Sequence, residues 1–329
     1  ASRLSLERLN PARRRNLSES RLAFLLRRAP REVRQALEPF GLYEATVEPE
    51  VRREGEAVDV ILRITPGEPV RVATRTLALA GEAEADESLQ RRLQRLRPRI
   101  GDAFHHGVYE EAKAGMDRAL AERGYFDARQ VRHEVKVERG ARRADIDLAW
   151  DSGRRYALGA AAFEGHPFRP GLLENLVPWT PGQPYEQRDL LRLQASLAEL
   201  DYFAAIDVRP LPEQAVDGVV PVQVDLAPAK RTRYEAGVRY GTDTGLGLSG
   251  GYERRWVNDR GHKLRAQLGL AERRNDLTVQ YRIPAFKWLD GWYTFGASVR
   301  EESLEFVDSE LIELVASRSG RLGDWDLVA

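Results

Sequence analysis

The sequence predicts an α+β fold of repeated strand-helix-helix-strand-strand modules, followed by the first strands of an antiparallel transmembrane β-barrel left incomplete. Two observations carry this. Three segments echo one another: QALEPFGLY (35–43), RALAERGYF (118–126) and ASLAELDYF (195–203), each with an Ala two residues on, at Ala45, Ala128 and Ala205. Their intervals of about 80 residues are too long for a helical solenoid and suit tandem small domains. After Lys230 the pattern changes to strict apolar/polar alternation in segments of roughly ten residues, the signature of membrane-spanning strands.

The clearest module spans 68–153. Leu77-x-Leu79-x-Gly81 alternates as a strand ended by a turn glycine. A helix over 86–96 follows, with Asp86 as its cap and Leu89, Leu93 and Leu96 on one face. Gly101-x-x-Phe104 reads as a loop. Tyr109, Ala112, Met116, Ala119 and Leu120 stripe a second helix, which Gly124 stops. Strands near 128–138 and 144–150 close the module. The next module, 154–229, repeats the order. Ala161-x-Phe163-x-Gly165 echoes the first strand, Leu172, Leu173 and Leu176 give a short helix, and Gly182-x-x-Tyr185 echoes the loop. Leu190, Leu193, Leu197 and Leu200 stripe its second helix, and strands fall at 205–209 and 220–226. Residues 1–67 show two helical patterns and strands at 42–51 and 57–64, lacking only the opening strand. Phe126 and Tyr202 are read as plugs of their modules' cores.

The last segment, 230–329, supplies five alternating strands: 231–241, 246–254, 264–270, 277–283 and 293–299. Tyr234, Tyr240, Trp256, Trp288 and Trp292 lie near strand ends, where an aromatic girdle is expected. An antiparallel sheet on a soluble core is the competing reading.

Composition narrows function. With 51 basic and 51 acidic residues, nothing marks the whole chain as a nucleic-acid binder. The first 40 residues do hold ten Arg against four Glu. Arg13-Arg14-Arg15 and Arg27-Arg28 suit anionic lipid or an acidic partner, although a solvated helix face is the simpler reading. The absence of cysteine excludes disulfides, thiol catalysis and thiolate metal sites. Gly245-x-Gly247-x-x-Gly250 matches a dinucleotide fingerprint and Gly247-x-Ser249-x-Gly251 a nucleophile elbow, but both need a helix next. Tyr252-Glu253-Arg254-Arg255-Trp256 continues a strand instead. The five histidines, His105, His106, His133, His166 and His262, have no carboxylate or thiol at ligand spacing. No enzymatic activity, cofactor or metal is expected.

Modules of this order leading directly into a barrel resemble the POTRA-plus-barrel family of bacterial outer-membrane assembly proteins. The Gly-x-x-aromatic loops and the Gly-Tyr-Phe and Asp-Tyr-Phe helix ends carry the resemblance, as does Tyr281-Arg282-Ile283-Pro284 at a strand end. Three modules, with Thr65-Pro66-Gly67-Glu68-Pro69-Val70 after the first, are most similar to the TamA branch. The resemblance implies an outer-membrane barrel with POTRA domains in the periplasm. It implies insertion of autotransporters and other β-barrel clients, beside a TamB-like inner-membrane-anchored partner. A two-partner-secretion or BamA-type pore is the alternative. It also implies a full barrel and an inward loop with a Val-Arg-Gly-aromatic motif; the chain stops before either, so truncation at both ends is expected.

Two candidate partner- and client-binding strands follow. In 129–137, Gln130, Arg132, Glu134 and Lys136 alternate with apolar residues, so Arg129, Val131, His133 and Val135 are named as an edge open to β-augmentation. In the resembling family the first and last barrel strands meet at a seam that admits clients. The first strand here presents Tyr234, Val238 and Tyr240 to lipid and Arg233, Glu235 and Arg239 to the lumen, with Gly237 mid-strand.

Overall fold

The computed structural model describes residues 18–54, 57–242, 245–286, 291–304, 307–322 and 325–329. It divides into two compact units, 1–155 and 156–329. The basic run Arg13–Arg15, the first helical pattern and Trp288 lie outside the described residues.

In the first unit, Ser18 caps helix α1 (Glu19–Leu37) by accepting from the Arg21 amide at 3.3 Å. Leu22, Ala29 and Val33 form its buried face. A single 3-10 turn (Glu38–Phe40) then leads to Gly41, whose φ of 75° suits a residue without a Cβ. Strands β1 (Thr46–Glu54) and β2 (Ala57–Thr65) pair antiparallel, Val47 opposite Ile64. The strand expected from residue 42 therefore starts four residues later. The Gly41 carbonyl accepts from the Val70 amide at 2.9 Å, and Tyr43 packs against the second module's core, so 42–45 are held as a connection.

The second module opens with β3 (Arg71–Ala80) and continues with α2 (Glu87–Arg95), α3 (His106–Glu122), β4 (Arg129–Glu138) and β5 (Arg143–Asp151). The sheet order is β3-β5-β4, with β5 parallel to β3 and antiparallel to β4. Both helices cover one face. Leu89 and Leu93 from α2, Met116 and Leu120 from α3, and Ile146, Leu148 and Trp150 from β5 form a continuous buried core. The Trp150 indole donates to Asp117 at 2.7 Å, so its polar edge is satisfied. Gly124, at φ 84°, closes α3.

Asp86 caps α2, accepting from the amides of Ser88 (2.9 Å) and Leu89 (3.2 Å) and pairing with Arg123 at 2.6 Å. Burial alone would raise its pKa, but these hydrogen bonds and the guanidinium hold it below the ordinary carboxylate value. A depressed folded pKa gives stability that is present above the unfolded value of about 3.9 and is lost as pH falls through the folded one. Asp86→Ala is expected to cost the module about 0.5–2 kcal/mol near neutral pH. It should also flatten the acid limb of stability. Urea unfolding at pH 7 and pH 3 checks this; an unchanged difference between the two pH values refutes it.

In the second unit, β6 (Ala157–Glu164), α4 (Gln187–Glu199), β7 (Phe203–Pro210) and β8 (Val219–Pro228) repeat the module. The order β6-β8-β7 has the same parallel and antiparallel pairs. The short helix expected around Leu172 is only a 3-10 turn, Glu174–Leu176. Pro170, Gly171 and Pro178 bracket it too closely for a second turn. Leu172, Leu173 and Leu176 are nevertheless buried. In the second and third modules the tyrosine of the helix-end echo, Tyr125 or Tyr202, is the buried plug, while Phe126 is only half-buried, contrary to expectation.

Seven strands follow, each antiparallel to the next: β9 (Thr232–Gly241), β10 (Gly245–Arg254), β11 (Lys263–Ala271), β12 (Arg274–Pro284), β13 (Gly291–Leu304), β14 (Val307–Leu322) and β15 (Trp325–Val328). The first four contain 10, 10, 9 and 11 residues, the length a tilted strand needs to cross a bilayer core. β9 and β15 are the two edges of an open sheet among the described residues. No described helix is long and apolar enough to cross a membrane.

β14 and β15 escape sequence reading. In β14 the neighbours Leu311-Ile312 and Leu314-Val315 are all apolar, so alternation is hidden. Its register resolves the faces: Ile312 lies opposite Val299 and Leu314 opposite Ala297, on the exposed apolar side.

Candidate functional site: two strand edges and the joint beside one of them

Among the described residues β4, the strand expected as an edge, borders β5 alone, and β9, the strand expected at the seam, borders β10 alone. On β4, Arg129 pairs with Asp151 at 3.3 Å, and a bulge follows between Gln130 and Arg132. The bulge turns Val131 out of the alternation, leaving it 51 % exposed, whereas Val135 and Val137 pack against the core as expected. The His133 carbonyl accepts from the Tyr109 hydroxyl of α3 at 3.0 Å. The regular stretch of this edge therefore begins after Val131.

On β9, Tyr234, Val238 and Tyr240 stand 76 %, 74 % and 77 % exposed on the apolar side. Across the ladder they meet Tyr252, Leu248 and Leu246. Tyr234 and Tyr252 rings pack at 5.6 Å. The opposite face carries ions: Arg233 with Glu235 at 2.7 Å, and Arg239 with Asp276 at 3.4 Å. β10 holds Gly245, Gly247, Gly250 and Gly251, the nucleotide-like and elbow-like motifs, within a strand that no described helix follows.

The third module is fastened beneath this sheet by residues that sequence reading assigned elsewhere. Only Ala229, Lys230 and Arg231 separate β8 from β9. The Ala229 amide donates to the Tyr202 carbonyl, and Arg231 donates to the Trp256 carbonyl at 2.9 Å. Arg255 pairs with Asp201 at 3.0 Å, and the Arg169 amide donates to the Asp259 carbonyl at 3.1 Å. At the centre the Tyr202 hydroxyl, fully buried, donates to the Gly261 carbonyl. Burial holds that hydroxyl's pKa well above its ordinary value.

Around Tyr202 stand Phe168 (4.7 Å between centroids), Trp256 (6.3 Å) and Trp292 (6.5 Å). The Lys263 ammonium lies 5.0 Å from the Tyr202 ring and 5.4 Å from Trp292, with Arg282 at 4.6 Å from Trp292. Such cation–aromatic contacts strengthen where water is excluded. Trp256 and Trp292, expected in a lipid girdle, therefore serve this joint. Trp256 is buried because it follows the end of β10 and turns onto Phe168 at 6.0 Å.

The two adjacent histidines have separate tasks. His105 caps α3, with Nδ1 accepting from the Val108 amide, and packs edge-on to Phe40 at 4.8 Å. His106 shares a hydrogen bond with the Tyr43 hydroxyl at 3.4 Å. Among the described residues no three His, Cys, Asp or Glu side chains are grouped to hold a metal.

Comparison with known proteins agrees with this architecture. Residues 5–66 match the family model described as POTRA domain TamA domain 1. Of solved structures, BamA from Haemophilus ducreyi lacking POTRA domains 1–3 is similar at 15 % identity and a TM-score of 0.62. That match covers 76 % of this chain and 47 % of that one, so the chain spans about half its length. CdiB from Acinetobacter baumannii matches at 14 % identity and a TM-score of 0.40, over 94 % and 61 % of the two chains. POTRA3–5 of BamA from Haemophilus influenzae matches at 19 % and 0.39, over 61 % and 79 %. In its fold the chain is like that BamA structure, with POTRA-like modules running into an antiparallel β-sheet, and its residues 5–66 carry the TamA-type POTRA match.

Proposed function

We propose that this chain belongs to a non-enzymatic assembly or translocation factor of the bacterial outer membrane, whose periplasmic POTRA modules and first barrel strand take in client β-strands. The observation that carries it is the position of β9. Among the described residues it borders β10 alone, it is apolar on one face, and it begins three residues after the last strand of the third module. An unpaired strand edge is a template for another strand, and backbone pairing accepts many sequences. Within this reading the clients are autotransporters and other outer-membrane barrel proteins, and a TamB-like inner-membrane-anchored protein is the partner. The match at residues 5–66 supports the TamA type. Likeness to the BamA fold supports a broader insertase as the second reading.

Cysteines at 234, 236, 238 and 240 in the intact protein are expected to crosslink to the terminal strand of a client caught during assembly. Crosslinks from β11 or β12 but none from β9 would move the accepting strand elsewhere. Running the assay with an autotransporter and with an unrelated barrel separates the two readings. β4 is the second edge of the proposal. Prolines placed singly over 132–137 should lower partner capture at positions whose N–H points away from β5, with the module still folded. Capture unchanged by every folded variant removes β4 from the mechanism.

A further inference from the structure

The lumenal face of β9–β12 carries an arrangement that the proposed function does not by itself require. Arg239 sits on the edge strand, yet its ion-pair partner Asp276 is on β12, three strands away. The register explains how the side chain crosses. Arg239 lies opposite Gly247 on β10, and Gly237, Ser249, Gly269 and Asp276 form the next row across the four strands. The guanidinium therefore runs diagonally over a floor of small residues. A Cβ at Gly269 would stand 2.7 Å from the Asp276 carboxylate and collide with the guanidinium itself. The floor forms the base of a trough of about 340 Å³ lined by Arg239, Ser249, Gly269 and Asp276.

The same glycines weaken the ladder they floor. Glycines contribute no side chain to cross-strand packing, and β9 and β10 between them hold Gly237, Gly241, Gly245, Gly247, Gly250 and Gly251. Among the described residues β9 has a partner on one side only, and a strand so placed and joined through such a ladder is poorly specified in position.

We propose that Arg239 and Asp276 are positioning residues that hold β9 in the sheet while its outer edge is unpaired. This rests on the reading of β9 as the client-accepting edge. The pair ties the strand to β12, beyond the glycine-rich neighbour, and keeps its outer backbone groups aligned for an incoming strand. Arg274 on the same strand at 4.0 Å and Arg300 opposite Asp276 on β13 supply the other nearby cations, so loss of Arg239 does not strand the carboxylate. The consequence of that loss falls on β9.

The test uses the intact protein in membranes with two readouts: hydrogen exchange of β9 amides, and crosslinking of a cysteine at 238 to a client strand. Exposed ion pairs couple weakly, so Arg239→Glu or Asp276→Arg is expected to raise β9 exchange and lower crosslinking by about two- to fivefold. Arg239→Lys, which keeps a long cationic side chain facing Asp276, should hold both readouts near their parent values, which a general packing defect would not. Gly269→Val, which blocks the crossing and leaves both charges in place, should reproduce the charge-reversed variants. β9 exchange unchanged in the charge-reversed variants, or Arg239→Lys as damaging as Arg239→Glu, overturns the proposal. Absent crosslinks in the parent protein refute the accepting-edge reading, while the exchange measurement still decides the role of the pair.

Discussion

Alanine at Leu120 or Leu197 is expected to remove about 2–5 kcal/mol from the module that contains it, the cost of a cavity in a core that relaxes only in part. The two leucines hold one structural position. Each is fully buried, each lies two residues before the end of its module's second helix, and each has a carbonyl that accepts from the amide three residues on. Modules of this size are marginal, since small domains have only about 5–15 kcal/mol in total. Either change should therefore populate the unfolded state of one module. Because Leu120 belongs to a core built from the second module, the two costs should add to within about 0.5 kcal/mol. Module-resolved hydrogen exchange or stepwise urea unfolding gives both values. A cost below about 1 kcal/mol at one site and a large one at the other would show that the echoing helices occupy unlike positions.

That equivalence was legible because it rests on local chemistry. Asp86 before an apolar stripe, Gly124 after one, and two matching helix ends are signals whose physics acts within a few residues. Alternation over β9 to β13 was equally plain, because one face meets apolar surroundings and the other does not. What sequence hid depends on partners distant in the chain. β14 carries apolar residues on both faces, so its period disappears, and only pairing with β13 sorts Ile312 and Leu314 from Leu311 and Val315. The bulge at Val131 is a matter of register with β5, which no residue of β4 announces.

The strands of interest were nameable from sequence, β4 as an edge and β9 as the first of the sheet, but their surroundings were not. Arg239 reads as an ordinary lumenal charge until the register places Asp276 across three strands. Trp256 and Trp292 read as girdle residues because aromatics at strand ends usually face the interface. Their use in a joint follows from Phe168 and Tyr202, which lie at least 54 residues before Trp256 in the chain and meet it only after folding.

Tyr202 is where the joint should fail. Tyr202→Ala is expected to cost about 3–5 kcal/mol, because the ring fills the third module's core and also supports Phe168, Trp256 and Lys263. Tyr202→Phe separates the two roles. It keeps the ring and removes only the hydroxyl, leaving the buried Gly261 carbonyl without that donor at about 1–3 kcal/mol. The pH dependence has a definite sign. Burial raises the folded pKa of this hydroxyl, so its contribution is complete below the unfolded tyrosine value of about 10 and declines as pH rises above it. The parent protein should therefore lose joint stability above about pH 10, and Tyr202→Phe should lose less over the same range. Limited proteolysis of the 255–262 connection and hydrogen exchange at Gly261 report the joint directly. Exchange there that is unaffected by Tyr202→Phe, together with an unchanged alkaline limb, would mean that the contacts of Arg255 and Arg231 hold the third module to the sheet without the tyrosine.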